Sequence, residues 1–232
     1  MERTDNVGVN KTREGRGSRI FILVVLALLL LAILAAVFVP LGIYRSRGKV
    51  MVSYGNVTVR RDLYVYWLSS YKYAYLTAQS KVDPATIDTP SYWNAPVEGG
   101  VTRAEKVRAE ADAWIKWIVF AASSFEDEDG SLNQATRNEI EKTCERLLQY
   151  ELDTEKAFDR AAKQIGFKYG TVKRAFFYQS EGDAYLTGVT DEDFAAFCAI
   201  AESEVTMKAA AERIDFVSLE TDARLYNADY LP

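Results

Sequence analysis

The side chains that most enzymes rely on are scarce in this 232-residue chain, which has two cysteines and no histidine. Without imidazole there is no Ser/His or Cys/His nucleophile pair and no imidazole acid–base step, and little basis for a catalytic zinc site. Mechanisms built on carboxylates, lysine or tyrosine alone survive, but no spacing in the sequence assembles one. Cys144 falls on a helical stripe with Ile140, Leu147 and Leu148, and Cys198 sits beside Phe194, Phe197 and Ala201. Both read as small buried hydrophobes rather than as a disulfide. The run Phe125-Glu-Asp-Glu-Asp-Gly130 has the look of a calcium loop, but its first and twelfth ligand positions would be Phe125 and Thr136, which carry no carboxylate. It reads as a solvated acidic turn after a helix. Asn56-Val-Thr58 is a glycosylation sequon, relevant only in a eukaryotic secretory pathway. No Walker loop, GxGxxG, GxSxG or HExxH occurs. The expectation is a protein with no catalytic residue, no cofactor and no metal.

Composition sets the frame in which any binding residues must be held. Hydrophobic residues make up 49% of the chain and charged residues 26%, a balance that supports a packed core rather than disorder. Residues 1–49 hold eight Lys/Arg and three Asp/Glu, a net of +5; set against the whole-chain charge of −5, this leaves −10 for residues 50–232. An acidic domain repels phosphate backbones, so nucleic acid is not an expected partner.

The segment Ile20–Ile43 contains no charged side chain. At 1.5 Å per residue it spans about 36 Å, enough to cross a hydrocarbon layer of ~30 Å with some tilt. It is too long for the apolar part of a cleaved signal peptide, so an uncleaved anchor over 20–44 is expected. Lys11, Arg13, Arg16 and Arg19 precede it, and Arg45, Arg47 and Lys49 follow. This slight excess, with the short leading tail, places residues 1–19 in the cytoplasm and the domain outside it in the cell membrane; the reverse orientation is the alternative.

Beyond the anchor, residues 45–60 read as a juxtamembrane segment with a short β-hairpin, since Val50–Val59 alternates around Gly55-Asn56. Residues 61–219 read as one helical domain with a minor β element. In Arg61–Gln79, Tyr64, Trp67, Leu68, Tyr71 and Tyr75 share one helical face, with Tyr66 and Tyr73 on the other. A loop rich in Pro and Gly leads to Thr102-Arg-Ala-Glu105, a capping box opening a helix with the stripe Val107, Ala111, Trp114, Ile118, Ala121 and Phe125. A second capping box, Ser131-Leu-Asn-Gln134, opens the next helix. A break near Asp153 precedes a short helix through Phe158, Ala162 and Ile165, closed by Gly166. Thr171 is expected to open a helix ending at Gly188, and Thr190 the last long one. Ile214–Leu219 alternates and reads as a strand, and 220–232 as a tail.

The order of these pieces resembles the N-terminal chaperone region of SurA/PrsA-type foldases, in particular the membrane-anchored Gram-positive versions. The residues that carry the likeness are the V-x-x-G-N-V-T-V turn, the tyrosine-rich helix, Ser91-Tyr-Trp-Asn followed by the Val97 to Glu105 stretch, Phe125 to Leu132, Ala157 to Phe167, and Tyr185 to Asp193. It covers residues 50–219. Full members continue into a parvulin peptidyl-prolyl isomerase domain whose active site uses histidines; this chain has neither, so no isomerase activity is expected. The resemblance implies a membrane-anchored, extracytoplasmic chaperone-like protein, a holdase or foldase accessory, binding unfolded or exported polypeptides. Its expected client-binding residues are Tyr66, Tyr73, Tyr92 and Trp93: the first two lie off the core stripe and the others in a loop. Aromatic rings give large contact area for little lost rotamer entropy. The alternative for each is packing in the interior. At the level of function, the alternative is an accessory subunit holding one folded partner.

Overall fold

Valines alternating with polar residues on both sides of Gly55-Asn56 do close into a hairpin. Strand β1 (Val50–Tyr54) pairs antiparallel with β2 (Val57–Arg60), Tyr54 opposite Val57 and Ser53 opposite Thr58. Gly55 takes φ +52°, which favours glycine, and a Cβ there would meet Ser123 Oγ at 2.1 Å and push that hydroxyl aside. The structure is a computed structural model that describes residues 48–79 and 83–232, apart from the side chains of Tyr150 and Glu151. The expected tail (1–19) and anchor (20–44) lie outside the described residues. Among the described residues no helix is long and apolar enough to cross a membrane.

The chain is mainly helical, with eight helices and a three-stranded sheet among the described residues. Helix α1 (Arg61–Gln79) follows the hairpin directly, and every residue from Leu63 to Ser70 is buried. The two-faced reading of this helix is corrected: over Leu63–Ser70 it is enclosed on all sides, and only its last turn, Thr77–Gln79, is exposed. Its polar members comply because Ser69 Oγ donates to the Tyr66 carbonyl and Ser70 Oγ to the Trp67 carbonyl. The short α2 (Pro90–Trp93) is capped by Thr89. Helix α3 (Arg103–Asp127) begins with the expected capping box: the Glu105 amide donates to Thr102 Oγ1 (3.2 Å) and the Thr102 amide to Glu105 Oε2 (2.7 Å).

Helix α4 (Gln134–Glu151) is capped by Asn133 rather than Ser131; the Thr136 amide donates to Asn133 Oδ1 at 2.9 Å. Asparagine caps as well as serine, and this one stands directly before the first helical turn. Asp153, at φ +50°, makes the expected break. Helix α5 (Glu155–Ala162) follows. Helix α6 (Tyr169–Leu186) starts ahead of Thr171, because Asp159 supplies an acceptor for the Tyr169 amide (2.8 Å) and Thr171 is occupied with Asp62 (2.9 Å). Helix α7 (Asp191–Glu204) carries the expected Thr190 cap. Helices α3 and α6 approach closely where Gly182 faces Ala121: a Cβ on Gly182 would lie 3.4 Å from the Ala121 Cβ.

The late strand lies elsewhere than expected. Thr206–Met207 (β3) pairs with β1, giving the order β2-β1-β3, and α8 (Ala209–Glu212) follows. Ile214–Leu219 is irregular: Asp215 Oδ1 accepts from the amides of Val217 (3.0 Å) and Ser218 (3.4 Å), a local turn that competes with strand pairing. Residues 220–232 are not a free tail but fold back through two short 3₁₀ turns, with Leu225 and Tyr226 buried. Cys144 is buried and Cys198 half-buried, both as free thiols. Burial pushes the Cys144 thiol up to about 12, which leaves it a packing residue.

Candidate binding cleft

The aromatics expected to hold clients are mostly internal. Tyr66 is 1% exposed and meets Phe167 edge-on at 5.1 Å; Trp93 is 0% exposed and meets Phe216 at 5.2 Å. Neither is available to a partner. Tyr73 is half-buried and stacks on Tyr226 (5.1 Å), while Tyr92, also half-buried, lies under the Arg103 guanidinium (3.9 Å). The four fall into two separate aromatic clusters, because α1 is enclosed over Leu63–Ser70 and residues 214–226 pack against it.

Two buried polar networks hold that closure. Lys72, 1% exposed, donates from Nζ to Asp88 Oδ1 (2.8 Å) and to the carbonyls of Leu219 (2.6 Å) and Val217 (3.2 Å). Trp93 Nε1 donates to the same Asp88 carboxylate at 2.6 Å. Burial lowers the Lys72 pKa, as it does for lysines that form Schiff bases, but the ammonium is buried and holds three acceptors. In the second network Tyr64 donates to Asp112 Oδ1 (2.6 Å), and Arg108 reaches the carbonyls of Ala211 (2.6 Å) and Ile214. Both are tethers for residues 209–221.

Glu181 on α6 has one buried oxygen without a partner. Burial, and then the nearby Glu126 carboxylate, push its carboxyl from 4.5 up to about 7, against the opposing effect of Arg137. A carboxyl held above its unfolded value binds its proton more tightly in the folded state. Stability is therefore lost as pH rises from about 4.5 to about 7 and stays lost above that. The side chain is half-exposed, so screening reduces the penalty, and Glu181→Gln is expected to add about 1–2 kcal/mol at pH 8. Thermal unfolding at pH 8 and pH 4.5 checks this; the gain should vanish at the lower pH.

Of the open clefts among the described residues, one is walled largely by aromatic rings. A cleft of about 370 Å³ runs between α3, α6, α7 and residues 229–232, and the aromatic walls come from Trp114, Trp117, Phe194 and Tyr230. This lies within the ~300–1,000 Å³ typical of ligand pockets. Trp117 meets Phe194 edge-on at 5.5 Å. Gln179, 8% exposed, donates from Nε2 to the Tyr230 carbonyl (3.0 Å), and the Tyr230 ring stacks on Phe176 at 3.8 Å. Gln179 Oε1 and Trp117 Nε1 lie buried without hydrogen-bond partners among the described residues. The charged side chains of the lining are Asp183 and Asp229, with no lysine or arginine among them.

None of the four expected aromatics lines this cleft. Trp117 lies three residues after Trp114, and no sequence pattern marked it as lining a site. No nucleophile and base meet in it, and among the described residues no group of three or more Cys, Asp or Glu gathers in a metal-binding arrangement. Compared with known proteins, the chain matches no protein-family model, no curated protein and no solved structure.

Proposed function

We propose that this is a non-enzymatic polypeptide-binding module whose α3/α6/α7 cleft takes a short extended segment of another protein. The observation that carries the reading is the aromatic wall of the cleft, formed by Trp114, Trp117, Phe194 and Tyr230. Aromatic faces offer large contact area for little lost rotamer entropy. The cleft is already bordered by one piece of polypeptide, residues 229–232, in which the Tyr230 carbonyl accepts from Gln179 Nε2 (3.0 Å). The membrane tether over 20–44 and the extracytoplasmic placement are carried over from the sequence.

The cleft favours one partner segment over many unfolded clients. Val101, Val189 and Ile200 are the exposed large hydrophobics among the described residues, so little other apolar surface is offered. Binding of unfolded exported polypeptides, as the foldase resemblance implies, is the second reading, supported by the aromatic walls. In the test, the full chain in detergent is titrated with fluorescent hexapeptides rich in Tyr, Leu and Pro. Binding is expected, weakened about tenfold or more by Phe194→Ala, since deleting a wall ring forfeits about 1.5–3 kcal/mol of burial. No binding to any peptide sinks the cleft reading. Slowed aggregation of an unfolded client with unchanged action in Phe194→Ala would support the second reading instead.

A further inference from the structure

The charge of the cleft narrows what such a segment carries. We infer that the preferred partner segment presents a basic residue, arginine or lysine, into the space between the Trp117/Phe194 wall and the carboxylates of Asp183 and Asp229. This rests on the cleft being a polypeptide site.

The first ground is that both charged groups of the lining are negative, exposed, and without a basic neighbour in the lining. Lys116, next in sequence to Trp117, has its ammonium at the Glu202 carbonyl, 3.1 Å away. Second, the walls are aromatic, and indole and phenyl faces attract a cation most strongly when it is partly desolvated. Third, residues 50–232 carry about −10, which raises the local concentration of basic segments and repels acidic ones. The residues that already reach the cleft from within the chain, Asp229-Tyr-Leu-Pro232, carry no basic side chain. A partner segment with a cation therefore offers what this stretch does not.

The test uses the full 232-residue chain in detergent and three hexapeptides differing at one central position: arginine, its neutral isostere citrulline, and glutamate. The arginine peptide is expected to bind about tenfold more tightly than the citrulline peptide, and the glutamate peptide most weakly. Asp183→Asn should cut the arginine-to-citrulline ratio severalfold, and 0.5 M salt should shrink it too. Asp183 is exposed, and a thermal melt of this variant checks that the fold is kept. Equal binding of arginine and citrulline peptides overturns the inference while the cleft reading stands. Failure of all three peptides overturns the cleft reading. Free arginine amide binding as tightly as the arginine peptide would make this a small-amine site and overturn both.

Discussion

Replacing Lys72 with alanine is expected to lower the folding free energy by about 3–5 kcal/mol. The ammonium is the common partner of Asp88 and of the carbonyls of Val217 and Leu219, and it sits 5.1 Å from the centre of the Trp93 ring. Removing it leaves a largely buried carboxylate with, among the described residues, Trp93 Nε1 and a long Thr221 contact (3.4 Å), and strands two carbonyls. The segment 214–221 then loses its main attachment to α1. Asp88→Asn keeps an acceptor for Trp93 but removes the opposing charge, so its cost should be smaller, about 1–3 kcal/mol. The double change Lys72→Met with Asp88→Leu removes both charges together and should recover roughly half or more of the alanine loss. Circular dichroism melts of the full chain in detergent provide the comparison. A loss below about 1 kcal/mol for Lys72→Ala would mean that water reaches the pair.

The second large effect falls on Trp67, at the middle of α1. It is 0% exposed and packs against Trp114 and Tyr178, each at 6.3 Å between ring centres. Trp67→Ala removes a full aromatic volume from an enclosed position and should cost about 3–5 kcal/mol. Trp67→Phe should cost far less, about 1–1.5 kcal/mol, since the indole N–H has no partner to lose. Trp93 makes the contrast: Trp93→Phe also discards the 2.6 Å bond to Asp88, adding about 1–3 kcal/mol. If the two phenylalanine variants melted alike, the Trp93–Asp88 bond would carry no stability.

How far the sequence foretold this fold varies with the kind of signal. The hairpin and the starts of α3 and α7 were legible because they rest on local chemistry: a Gly-Asn turn between alternating valines, and Thr caps with acidic partners three residues on. The enclosure of α1 was not, because tyrosine is equally at home at a surface and in a core, and the residues that cover Tyr66 come from Phe167, Phe176 and Tyr226, far along the chain. The alternation of Ile214–Leu219 promised a strand, but Asp215 turned the backbone on itself, and the shorter Thr206–Met207 took the sheet edge. The cleft was the least visible. Its polar feature depends on Gln179 meeting the Tyr230 carbonyl across 51 residues of sequence, a pairing no local pattern encodes. Trp117 and Phe194 look like ordinary core residues until α3 and α7 are brought side by side.

Indole proton resonances would test the central claim most directly. The chain has four tryptophans, Trp67, Trp93, Trp114 and Trp117, so ¹⁵N-tryptophan labelling of the full chain gives four Nε1–H signals, assignable by single substitution. Titration with the arginine hexapeptide should shift the Trp117 signal, because its ring lines the cleft, and leave those of the interior Trp67 and Trp93 in place. A peptide that binds while the Trp117 resonance stays fixed would contradict the account, because the segment would then be held somewhere other than the α3/α6/α7 cleft.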